Sequence, residues 1–78
     1  MEQRNNDFLD RIVSNPQILH GKPCIRGTRI PVYLIVSLVA EGESYEKILA
    51  DYPSLHPEDI TAALRYAARL AQYEAYVL

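Results

Sequence analysis

Apolar residues come in short pairs through the first thirty positions and at helical spacing after that. Phe8-Leu9, Ile12-Val13, Ile18-Leu19 and Cys24-Ile25 are separated by polar residues, Gly and Pro. The first cluster, Phe8, Leu9, Ile12 and Val13, predicts a helical turn leading into a short strand around Arg11–Ser14, and Asn15-Pro16 is a turn signal. From Val32 the spacing changes. Val32, Leu34, Ile35, Val36, Leu38 and Val39 predict a first helix over about 32–41, with Gly42 as its C-terminal stop. It is apolar on nearly every side, and such a helix needs cover on every side. Leu38 and Val39 are therefore candidates for a homodimer interface. Ser44 is a good N-cap for a second helix over about 44–51, with Tyr45, Ile48, Leu49 and Tyr52 on one face and Pro53 as its stop. A third helix, about 57–75, opens with Pro57 at its first position, and Glu58 and Asp59 complement the helix dipole.

The third helix carries two apolar stripes. Ile60, Ala63, Leu64, Ala67 and Ala71 share the expected core face. Tyr66, Leu70, Tyr73 and Val77 follow i, i+4, i+7, i+11 spacing and centre roughly 120° away. Either the N-terminal strand or Phe8 covers this second stripe, or it meets a partner protein, which Tyr suits by joining apolar area to a polar tip. Tyr66, Leu70, Tyr73, Tyr76 and Val77 are the candidate partner-binding residues.

The run Gly21-Lys22-Pro23-Cys24-Ile25-Arg26-Gly27-Thr28-Arg29-Ile30-Pro31-Val32 reads as a basic hairpin over 23–31. Arg26-Gly27 forms the turn, Cys24-Ile25 and Thr28-Arg29-Ile30 the two arms, and the prolines stand where no ladder N–H is needed. Charge sharpens this picture. From Arg11 to Ala40 there is no Asp or Glu, only Arg11, Lys22, Arg26 and Arg29. Residues 41–78 hold seven acids against three bases, so the net charge of −2 joins a basic stretch to an acidic half. Lys22, Arg26 and Arg29 are candidate DNA-binding residues, since a two-stranded ribbon can enter a groove of the duplex. The competing reading is a solvated basic edge that discourages aggregation.

With 78 residues and no repeat, the expectation is a flexible N-terminus over 1–10 and one small domain over 11–78. The class is α+β, mostly α: a small N-terminal β-unit with a hairpin, then three helices. The first ten residues carry Glu2, Asp7 and Asp10 and no apolar run, so no signal peptide is expected and the location is cytoplasmic. Enzyme chemistry has little to stand on. His20, His56 and Cys24 supply too few ligands for a tetrahedral metal site, and no carboxylate lies in the basic stretch to orient a Cys–His pair. The expectation is no catalysis, no metal and no cofactor, with Cys24 a small buried strand residue.

The second helix, the 52–56 turn and the third helix trace a helix-turn-helix outline. Glu58 and Asp59 stand where a recognition helix meets phosphates, which argues against ordinary major-groove reading. The segments Arg11-Ile12-Val13, Asn15-Pro16-Gln17-Ile18-Leu19, Gly21-Lys22-Pro23, Gly27-Thr28-Arg29-Ile30-Pro31-Val32, Tyr52-Pro53, Pro57-Glu58-Asp59-Ile60 and Ala62-Ala63-Leu64 run through almost the whole chain. Together they resemble the family called domain of unknown function 433; His56 departs from the Thr or Ser that the family commonly has there. The resemblance implies a small helix-turn-helix-like fold and an antitoxin of a type II toxin–antitoxin pair. Its expected partner is a PIN-like ribonuclease toxin, which it would mask, and it would also repress the shared operon by binding operator DNA. The alternatives are a stand-alone DNA-binding regulator and a homodimeric structural module.

Overall fold

The structure, a computed structural model, describes the backbone of residues 8–75 and the side chains of 8–72. Residues 8–11 form one 3-10 turn that leads into β1 (Ile12–Val13). Residues 8–10, expected in a flexible N-terminus, are thus part of this turn, and the rest of that stretch lies outside the described residues.

Two tight loops separate β1 from β2 (Cys24–Ile25). In the first, Asn15 accepts from Ile18 N through its carbonyl and from Gln17 N through its side chain, each at 2.8 Å, with Pro16 fixing the φ between them. In the second, Leu19, His20 and Gly21 all take left-handed backbone, at φ 53°, 57° and 85°. That is unusual for a leucine and a histidine, whose Cβ crowds the next carbonyl. The chain is thereby turned back so that β2 runs antiparallel to β1, Ile12 opposite Ile25 and Val13 opposite Cys24.

The predicted 25–28 turn is present: Thr28 N donates to the Ile25 carbonyl at 3.0 Å and Gly27 has φ +81°. The second arm of the hairpin is shorter than expected. Residues 28–30 form no regular strand and contact β2 through Ile25 N→Ile30 O and a bridge between Cys24 and Pro31. The reason is local. Thr28 Oγ1 donates to Ile25 O and accepts from Ile30 N, and Pro31 has no N–H to offer. The regular ladder is the one on the other edge of β2, with β1.

Pro31 is the N-cap of α1 (Val32–Ala40). The helix ends on a left-handed Gly42 at φ +91°, with Gly42 N→Val39 O and Glu43 N→Leu38 O, the paired bonds of a Schellman motif. Ser44 Oγ then accepts from Lys47 N at 3.1 Å and opens α2 (Tyr45–Asp51). α3 (Pro57–Ala75) follows after a short link. α1 packs chiefly on α3, and the core draws on every element from β2 onward: Ile25, Val32, Ile35, Ile48, Leu55, Ile60 and Ala63.

Candidate functional site

Leu38 and Val39, expected at a dimer interface, pack against the core cluster and are half-buried. The exposed part of α1 is instead Tyr33, 60% accessible, with Ser37 one turn later. The core stripe of α3 also ends early, with Ala71 exposed. At nine residues α1 spans less than half of the nineteen-residue α3, so it covers only part of that helix. Of the second stripe, Tyr66 is half-buried against the core and Leu70 is 49% accessible. The Tyr73 side chain, Tyr76 and Val77 lie outside the described residues.

Tyr66 and Leu70 form one wall of a groove between α3 and α1, of about 400 Å³, with Tyr33 and Val36 on the other side and Lys22-Pro23 at one end. Lys22 Nζ stands 5.9 Å from the centroid of the Tyr33 ring, so the groove is aromatic at its centre and cationic at its rim. Sequence reasoning found the α3 wall. It missed Tyr33, which the helix pattern had placed in an all-round apolar surface without saying which side would be left uncovered.

The three candidate DNA-binding cations face different surroundings. Lys22 belongs to the α1–α3 groove. Arg26 donates from Nε to the Asp10 carbonyl at 2.6 Å. Arg29 lines a separate open groove of about 510 Å³ with Val13, Ile18 and Ser54. Arg11, counted with them in the basic stretch, pairs with Asp59 at 2.9 Å. Cys24 is fully buried in β2, as expected of a small strand residue, with Sγ 3.7 Å from the Thr28 carbonyl. His20 is exposed on the left-handed turn. Among the described residues no group of three or more His, Cys, Asp or Glu is placed to hold a metal ion, and no helix is long and apolar enough to cross a membrane. The Lys47 pKa is raised, first by its hydrogen bond to Asp51 and then by that carboxylate's charge; the pair is a solvent-exposed i, i+4 contact on α2, away from the grooves.

The family described as "Protein of unknown function (DUF433)" matches residues 12–67, from β1 into the middle of α3. The chain belongs to the DUF433 family. Over 56 residues it is 48% identical to the uncharacterized protein y4eO of Sinorhizobium fredii, a match that covers 72% of this chain and 25% of that protein. The chain thus spans about a quarter of the length of this curated relative. Its fold is similar to the crystal structure of a DUF433 member from Anabaena variabilis, with a TM-score of 0.74 at 30% identity, over 90% of this chain and 73% of that one. These likenesses settle the α+β architecture, a short antiparallel β-unit followed by three helices, and the family.

Proposed function

We propose that this DUF433 domain is an antitoxin-like interaction module that binds and masks a PIN-like ribonuclease toxin and has no chemistry of its own. The observation that carries the reading is the α1–α3 groove, whose lining joins Tyr33 at 60% and Leu70 at 49% accessibility with Val36 and Tyr66. A small domain gains nothing by leaving two large apolar side chains wet in one concave strip unless something fills it. An aromatic centre with a charged rim is the anatomy of a protein-binding patch. Charge supports the same partner. Outside the groove lining, Glu41, Glu46 and Glu58 are exposed on the helical half, an acidic surface that suits the surroundings of a basic RNA-binding cleft.

Co-expression with a PIN-like ribonuclease encoded beside it, copurification and an RNA-cleavage assay test the proposal. The wild-type chain is expected to copurify and to suppress cleavage. Tyr33→Ala and Leu70→Ala are each expected to cost about 2 kcal/mol of affinity and to leave the melting temperature unchanged. Failure of the wild-type chain to bind or inhibit the nuclease ends the antitoxin reading. Should the same substitutions instead dissociate a homodimer, the groove is filled by a second copy and the module is a structural one.

A further inference from the structure

Two separate stretches of chain bring arginines to the 8–11 turn. Arg26, at the tip of the 25–28 turn, reaches the Asp10 carbonyl through Nε at 2.6 Å. Arg69, on α3, holds its guanidinium 5.7 Å from the centroid of the Phe8 ring. Asp10 and Phe8 are two residues apart on a 3-10 turn, about 4 Å along its axis. Arg65, one turn before Arg69 on the same side of α3, lines a shallow groove of about 270 Å³ with Phe8, Arg69 and Gln72. All three arginines are exposed. Among the described residues of the turn and of α3, Asp10 and Glu58 are the exposed carboxylates, and Asp59 is paired with Arg11.

Two of these cations are ordered before any ligand arrives, which lowers the cost of binding. Phe8 holds the Arg69 guanidinium over its ring, and Arg69 remains exposed to solvent. Guanidinium groups grip phosphate with a planar fork, and their flat faces stack on unpaired bases. We infer that this turn is a binding site for single-stranded nucleic acid, with a base stacked on the Arg69–Phe8 platform and the phosphodiester backbone running along Arg65 and Arg26. A duplex keeps its bases stacked inside and offers the platform nothing to hold. The site is separate from the α1–α3 groove and does not depend on toxin binding.

Fluorescence anisotropy tests it, with the full chain and a labelled single-stranded RNA of about 12 nucleotides, titrated at several salt concentrations. Binding is expected to weaken with salt, and Arg65→Ala and Arg69→Ala are each expected to lower the slope of log K against log salt by about 0.7. Arg69→Lys keeps the charge and loses the stack, so it is expected to keep the slope and bind about tenfold more weakly. Arg29→Ala, which faces another groove, is expected to bind as wild type. Melting temperatures of the arginine variants should match wild type, as all three side chains are exposed. The inference is overturned by no binding at low salt, by unchanged slopes in Arg65→Ala and Arg69→Ala, or by an Arg69→Lys that binds like wild type. It is equally overturned by a duplex of the same length competing as well as the single strand.

Discussion

Asp59 does more than its place near a helix start suggests. It is 3% accessible, and both carboxylate oxygens are engaged: Oδ1 accepts from Arg11 Nη1 at 2.9 Å and Oδ2 from His56 N at 2.8 Å. The second bond satisfies one of the N–H groups that the start of a helix leaves open. The first ties the 8–11 turn to α3 across the fold. Removing the carboxylate orphans a backbone donor outright, whereas Arg11, whose side chain is 38% accessible, can turn to water. Asp59→Ala is therefore expected to lower stability by about 2 kcal/mol, read by urea denaturation. Asp59→Asn, which keeps an acceptor for His56 N, should lose less. Arg11→Ala and Asp59→Ala share one interaction, so the double variant should fall short of the sum of the two; strict additivity would show that the pair is not coupled.

Among the elements, the ends carry the more telling chemistry. Gly42 stops α1 at φ +91°, and a Cβ built there meets nothing within 4 Å. The cost of Gly42→Ala is therefore confined to the backbone, about 1 kcal/mol, with Gly42→Asn in between. The Leu19–Gly21 turn poses the opposite case. His20 is exposed and held at φ 57°, ψ 31°, where an L-residue is strained by about 1–2 kcal/mol. Glycine relieves that strain and gives back part of the gain as chain entropy. His20→Gly is expected to stabilise the protein by about 0.5–1 kcal/mol, seen as a raised melting temperature. A fall instead would mean that the imidazole makes a contact worth more than the strain.

At the scale of the whole molecule, the core is small and each element contributes few side chains to it. Ile35 sits at 0% accessibility in the middle of α1, and Tyr33, two positions earlier, at 60%. Ile35→Ala is expected to cost about 3 kcal/mol, a large share of the stability of so short a domain, while Tyr33→Ala leaves unfolding unchanged. Equal losses from the two variants, measured by thermal unfolding, would mean that α1 is turned differently. Leu38→Asp places a carboxylate beside the core cluster, so its effect should appear as unfolding before any dissociation of a dimer.

What the sequence determined by itself was local. The Asn15-Pro16 turn, the Arg26-Gly27 turn, the Gly42 stop, the Ser44 cap and the proline that opens α3 all act through φ preferences and hydrogen bonds between residues a few positions apart. They are readable wherever the residue types stand at the right spacing, and so is the class of three helices after a β-unit. The choices between distant partners were not readable in the same way. Cys24-Ile25 takes Ile12-Val13 on one edge while its other edge keeps the contacts to Ile30 and Pro31. Asp59 finds Arg11 across 48 positions. Tyr33 is left bare on a helix whose pattern is apolar all round, and Arg26 and Arg69 meet the same turn from two separate stretches of the chain. Each of these depends on which surfaces the close-packed core leaves free once all elements are in place, a condition that no window along the chain contains.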